Sequence, residues 1–289
     1  MSSPFNLEAK ENYLRWRERK LENSITNPNE LIVEIGNPAS PTASEREKIL
    51  SCCSRSNMAI YATHAEVDEN IVQLFGAQFG LERLDANWLA GEDGISEIRV
   101  FEKGTRQHYI PYTDKPIRWH TDGYYNPPER TIRAMLLHCV HSAANGGENG
   151  LMDHEIAYLL LRDENPELMH ALMQPDAMTI PERVDETDGV RPAQSGPVFS
   201  IDANGNLHMR YTARTRSIEW KQDSATLAAV TALEKLLASD LPHIHHLRLE
   251  PGMGVICNNV LHDRSAFNDD STHSRLLYRA RYHDRIKTN

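Results

Sequence analysis

The chain has 289 residues, 40% hydrophobic and 25% charged, with a net charge of -10. That composition describes a globular protein large enough to bury a core without covalent staples. The acidic balance argues against a nucleic-acid partner or a basic membrane-binding face, since both need clustered positive charge.

Four cysteines, at 52, 53, 139 and 257, show neither disulfide-framework nor zinc-cluster spacing. The first residues, MSSPFNLEAK, lack a signal-type apolar core. No run approaches the ~18 apolar residues of a membrane span. The expectation is a cytoplasmic enzyme for a small-molecule substrate, without nucleic acid or membrane partners. Assembly into a homo-oligomer stays open.

In chain order, Leu7 to Leu21 reads as a charged helix, and Leu31 to Ile35 as a short strand ended by Gly36-Asn37-Pro38. Thr42-x-x-Glu45 and Ser44-x-x-Glu47 are overlapping capping boxes for a helix through Ser51. Met58 to Ala62 reads as a strand. Val67 to Phe79 reads as a helix with Val67, Ile71, Leu74 and Phe75 on one side. From Ile95 to Cys139 the pattern is strand-like, with Met135 to Val140 as a buried strand and Ser142 to Gly150 as a polar loop. Asp153 is the expected N-cap of a helix reaching Asp163. Thr179 to Gly205 is rich in Pro, Gly and Asp and reads as loops or a mobile lid. Asp223 opens an amphipathic helix through Leu237, with Leu227, Val230, Leu233 and Leu237 at helical spacing. Strands at His246 to Glu250, Val255 to Asn259 and Arg275 to Tyr282 close the chain. The fold class implied is α+β with a sandwich or barrel core.

The chemistry concentrates at Trp119-His120-Thr121-Asp122. In an extended segment His120 and Asp122 share a face. With one further histidine they make the two-histidine, one-carboxylate facial set that holds iron(II) and leaves positions open. A lone His-x-Asp is more often structural. His64-Ala65-Glu66 has the same form and is better explained by Glu66 at a helix start. His262, just after a buried-strand pattern, is the best third ligand. Arg275, Arg279 and Arg281 would share one face of the last strand. Exposed, they form a solvated edge. Buried, they need anions, which guanidinium grips as a bidentate fork. His243-Ile-His245-His246 reads as structural or surface histidines. Tyr124, Tyr125 and the stretch containing Arg214 are candidate substrate-pocket residues, with core packing an equal alternative for the tyrosines.

His-x-Asp, a long gap, His262 and then Arg275 together resemble the taurine-dioxygenase-like branch of the iron(II)/2-oxoglutarate oxygenases. Gly146-Gly147-Glu148 and Ser274-Arg275-Leu-Leu-Tyr-Arg279 match as well, and Leu137-His138-Cys139 resembles γ-butyrobetaine hydroxylase relatives. The likeness covers roughly residues 90 to 285. It implies a double-stranded β-helix (jelly-roll) core flanked by helices. It implies one oxygenase domain, 1–289, with a helical/mixed segment 1–90 packed on a β core 91–289. It further implies that His120, Asp122 and His262 bind Fe(2+) and that Arg275 holds the distal carboxylate of 2-oxoglutarate. Arg279 would meet an anionic group of the substrate, and the γ-butyrobetaine likeness favours an amino-acid-derived compound. Where the taurine enzyme has a threonine for 2-oxoglutarate, this chain has Asn149, whose amide can donate instead. The implied reaction consumes O2, releases succinate and CO2, and hydroxylates the substrate. Two rivals are a zinc hydrolase on the same triad and a non-catalytic binding module.

Overall fold

Six α-helices and two principal β-sheets organise this computed structural model, which describes residues 3–85, 94–185, 189–214, 216 and 218–288. The helices are α1 (Lys10–Asn23), α2 (Ala43–Ser56), α3 (Glu69–Ala77), α4 (His154–Glu164), α5 (Pro166–Leu172) and α6 (Ser224–Leu237). Side-chain caps fix several of their starts by satisfying otherwise orphaned backbone N–H groups. At α2 the Thr42–Glu45 box closes in both directions, so the overlapping box at Ser44 goes unused. Asp68, Asp153 and Asp223 cap α3, α4 and α6.

Two helix faces differ from the sequence pattern. Leu74 and Leu227 are exposed, at 42% each. Val72, Phe75 and Gly76 form the buried face of α3, and Thr226, Ala229, Val230, Leu233 and Leu237 that of α6. Small residues fill the places expected for the outward leucines. Glu66 lies before α3 rather than in its first turn, since Asp68 is the cap.

The larger sheet runs in the order Ile32–Glu34, Met58–Ala62, Met253–Cys257, Ala134–His141, Leu276–Tyr282, Ser96–Ile98. The smaller runs Ile244–Leu247, Asn149–Met152, Leu261–Arg264, Ile117–His120. All pairings are antiparallel except that of Ile32–Glu34 with Met58–Ala62. The segment before residue 90 therefore does more than pack on the β core, because it supplies two strands of the larger sheet. The loop expected from Ser142 ends early, since Asn149 already begins a strand. The stretch 179–205 contains short strands, among them the paired Arg183–Asp185 and Gly189–Arg191.

The smaller sheet separates two cores. Leu151 packs with the larger sheet, α2 and α3, whereas its neighbour Met152 packs with α4, α5 and α6. This is the two-residue alternation of a strand buried on both faces. His262 pairs directly with both Leu151 and His120. Cross-strand partners share a face, so both imidazoles point toward the larger sheet.

Candidate functional site

The two histidines meet because their strands pair His262 opposite His120, which brings the ring centroids to 4.1 Å. Asp122 joins them by a different route from the expected one. The strand ends at His120, and Asp122 lies in the following turn. Gly123 follows at φ 70°, where an added Cβ would sit 2.4 Å from Ile132. Only glycine suits that left-handed, crowded position. One ligand atom from each of His120, Asp122 and His262 lies within 4.8 Å of the others, and all three residues are buried.

Each imidazole is oriented by its backbone. Nδ1 of His120 bonds the Arg118 carbonyl at 3.0 Å, and Nδ1 of His262 bonds the Val260 carbonyl at 2.9 Å. Carbonyls only accept, so each Nδ1 carries a proton and each Nε2 is the ring nitrogen left to meet a metal. Burial, then the neighbouring His262, lowers the His120 pKa to about 3. Burial pushes the Asp122 carboxyl up, but Arg279 and then Arg281 more than reverse this and hold it well below the carboxylate range. A neutral His120 imidazole and an ionised Asp122 carboxylate are protonation states a divalent metal needs. Asp122 Oδ1 faces Arg279 Nη1 at 3.3 Å, while buried Oδ2 has no hydrogen-bond partner. An orphaned buried carboxylate oxygen is costly unless something cationic meets it. The donor set and its geometry fit iron(II).

Asn259, a residue that sequence reasoning missed, fixes the carboxylate. Its Oδ1 accepts the Asp122 N–H at 2.8 Å, and its Nδ2 donates to the carbonyls of Asp122 and Ile132 at 2.9 and 2.7 Å. It is 1% exposed and sits at φ 51°. Asparagine tolerates that conformation better than most residues. The available signal was the Asn258-Asn259 pair between a strand and the ligand histidine.

Arg275 is 5% exposed and lies over the Phe267 ring at 5.0 Å. Its Nη1 is buried without a partner, and burial lowers its pKa to about 10. No carboxylate pairs with it among the described residues. The even-spacing argument for the three arginines breaks between Leu276 and Leu277, where the register shifts. Arg279 and Arg281 do share a face, but each has a carboxylate: Asp122 for Arg279 and Asp85 for Arg281, the latter at 2.6 Å. Arg279 thus reaches the site with part of its fork engaged. Asn149 is also buried. One of its amide N–H groups goes to the Asp263 carbonyl at 3.1 Å, leaving Oδ1 unmet.

Tyr124 and Tyr125 follow the Asp122 turn and pack edge to face at 5.2 Å. Tyr125 accepts from Arg281 Nη1 at 2.7 Å, and the Tyr124 phenol lies against Thr212 and Arg214. The segment carrying Arg214 runs beside the His120 strand, with Thr212 bridging His120 and Ala213 N–H donating to the Trp119 carbonyl. His64 and Glu66 are exposed and away from any metal cluster among the described residues. His243 and His245 likewise join none, and His243 bonds Ser24 at 3.2 Å. No helix among the described residues is long and apolar enough to cross a membrane.

Comparison with known proteins agrees with this geometry. Residues 64–281 match the model of the taurine catabolism dioxygenase TauD, TfdA family. The chain is 31% identical over 169 residues to a uridine-5'-phosphate dioxygenase from Amycolatopsis sp, covering 57% of this chain and 60% of that protein. A uridine-5'-phosphate dioxygenase from Streptomyces sp is 31% identical over 186 residues, covering 63% and 66%. The matched region thus spans less than two thirds of either relative. In fold, the chain resembles the non-heme iron oxygenase OrfP in complex with Fe and alpha-ketoglutaric acid. That likeness has a TM-score of 0.58 at 18% identity and covers 82% of this chain and 77% of that one.

Proposed function

Since the chain belongs to the taurine catabolism dioxygenase TauD, TfdA family, we propose that it is an iron(II)- and 2-oxoglutarate-dependent oxygenase that hydroxylates a small anionic substrate. The observation that carries this reading is the convergence of His120, Asp122 and His262 within 4.8 Å, with the Asp122 Oδ2 buried and unmet. Chain 1–289 is read as one oxygenase domain, its two facing sheets as a double-stranded β-helix, and its setting as cytoplasmic. The relatives named for uridine 5'-phosphate favour a phosphorylated nucleoside-like substrate over an amino acid.

Iron(II) at this site supplies O2 activation coupled to oxidative decarboxylation of 2-oxoglutarate, with succinate and CO2 as products. The protein's residues do the rest. Arg118 and Val260 carbonyls keep both ligand imidazoles in the metal-binding tautomer. Asn259 holds the Asp122 backbone, and Arg279 orients its carboxylate. Arg275 offers an unpaired fork for the distal carboxylate of 2-oxoglutarate. Asn149, whose buried amide is only partly engaged, is read as a second contact to 2-oxoglutarate. The surrounding core excludes water, which strengthens each of these contacts. A zinc hydrolase gives Arg275 no role and draws no support from the family.

The test is succinate release by purified protein with iron(II), 2-oxoglutarate and uridine 5'-phosphate or a panel of small anions. Turnover that depends on iron and on all three ligands is expected. Full turnover by His120→Ala, Asp122→Ala and His262→Ala would overturn the assignment.

A further inference from the structure

Arg279 is paired with Asp122, and Arg281 with Asp85. Neither is a free receptor for a substrate anion. Two other arginines near the metal residues have no carboxylate partner among the described residues. Arg191 lies over the Tyr125 ring at 5.5 Å, and its Nε is buried without a hydrogen-bond partner. Arg214 lies against the phenol oxygen of Tyr124. The two tyrosines are themselves in contact, edge to face. Each arginine therefore flanks one member of a tyrosine pair that begins two residues after Asp122.

The arrangement is built rather than incidental. Arg210 donates from Nε to the Tyr124 carbonyl at 2.7 Å and from Nη2 to the Gln194 carbonyl at 2.7 Å. It ties the tyrosine turn to the chain just after Arg191. Its third donor goes to the Met178 carbonyl at 3.0 Å. Arg210 is thus consumed as a brace, while Arg191 and Arg214 keep donors to spare. Arg191 also stands directly opposite Arg183 across its hairpin. Guanidinium forks match phosphate oxygens two at a time, and phenols add further donors. Two unneutralised arginines suit a dianion better than the single charge of a carboxylate or sulfonate.

We infer that Arg191 and Arg214, carried on the Tyr124–Tyr125 pair, form a phosphate-monoester subsite that selects a phosphorylated substrate over its dephosphorylated counterpart. This inference rests on the oxygenase reading and names which group of that substrate is gripped, and where.

The experiment is anaerobic calorimetry on the iron(II)-loaded protein with 2-oxoglutarate, titrated with uridine 5'-phosphate, uridine and inorganic phosphate. The wild type should prefer uridine 5'-phosphate to uridine by on the order of 100-fold. In Arg191→Gln/Arg214→Gln that preference should collapse to below about 5-fold, with the uridine affinity unchanged. Arg191→Lys should keep an intermediate preference, since charge remains but the fork is lost. Inorganic phosphate should compete with uridine 5'-phosphate in the wild type only. A wild type without preference for the phosphorylated ligand, or a double variant that keeps the full preference, overturns the subsite. The affinity for 2-oxoglutarate is read in the same protein. Its retention in the double variant shows an intact fold, and its absence in the wild type would instead count against the oxygenase reading.

Discussion

Two buried charged regions of this protein are built on opposite terms. At the junction of α1 and α4, Lys20 is 6% exposed and meets Asp153 at 2.6 Å and Glu155 at 2.7 Å. Asp153 also accepts from Asn57 and from the Glu155 N–H, both at 2.9 Å. Around His120, Asp122 and His262, by contrast, buried polar atoms are left over: Asp122 Oδ2, Arg275 Nη1, Arg279 Nε and Asn149 Oδ1. The first cluster consumes its own charges and serves the fold. The second withholds them, at a cost in stability, for ligands that arrive later. Burial of charge alone does not mark a functional site. Unmet buried donors and acceptors that converge on side chains able to hold a metal do.

The comparison breaks most visibly at the ligands. His262→Ala or Asp122→Ala should lower turnover by at least about 1,000-fold and abolish stoichiometric iron binding, measured by succinate release and metal analysis. Thermal stability of the metal-free His262 variant should fall less than in the Lys20 case, whereas Asp122→Ala also strips Arg279 of its carboxylate and should cost more than His262→Ala. Lys20→Ala should do the reverse. It leaves Asp153 buried without a cation and Glu155 with only Arg285, at 3.9 Å, for a loss of about 3–5 kcal/mol in chemical denaturation. Iron affinity of the folded protein should stay as in the wild type. A Lys20 variant that lost iron before losing stability would show that the two regions are coupled.

Arg275→Ala sharpens the difference within the site. The apparent KM for 2-oxoglutarate should rise about 10- to 100-fold with little change in kcat once the cosubstrate saturates. An unchanged KM would place the cosubstrate anchor elsewhere. Stability should hold or rise slightly, because the variant removes a buried guanidinium that has no anion.

The contrast also explains what could be read from the sequence. His120 and Asp122 were legible because a two-residue spacing carries both toward one side, even though the strand stops at His120. His262 and Arg275 were legible from their order and from the family likeness. The α2 cap was legible because its chemistry is local. Asn259 was not, since its partners Asp122 and Ile132 are 137 and 127 residues away. The Arg281–Asp85 pair, 196 residues apart, left no periodic trace either. The outward turn of Leu74 and Leu227 was hidden because apolar spacing tells which residues share a face, not which face is covered. The two strands contributed by the first 62 residues were visible as strands but not as members of the larger sheet, because pairing across 190 residues is a matter of topology.

The smallest expected effect separates the metal site from the larger sheet by pH. Burial lowers His120 to about 3 and His138 to about 4. His120 belongs to the metal site, whereas His138 is bonded by the Tyr61 hydroxyl at 3.0 Å within the larger sheet. Both are neutral in the folded protein, while their unfolded counterparts take up protons below about 6.5. The unfolded state therefore binds more protons as pH falls, and stability is lost on acidification from about 6.5 downward. Between pH 7 and 5.5 each imidazole should contribute a loss on the order of 1 kcal/mol, followed as thermal midpoint against pH on the metal-free protein. His138→Gln should remove one share of that slope, with or without metal. His120→Gln should remove the other share, from the metal-free protein. With iron(II) bound, the His120 share of the slope should persist over the same range, because a proton reaches Nε2 of the folded site only near pH 3; iron should raise the whole curve without steepening it. An iron-loaded curve that steepened between pH 7 and 5.5 would mean that a proton competes for a ligand well above the value that burial sets for His120.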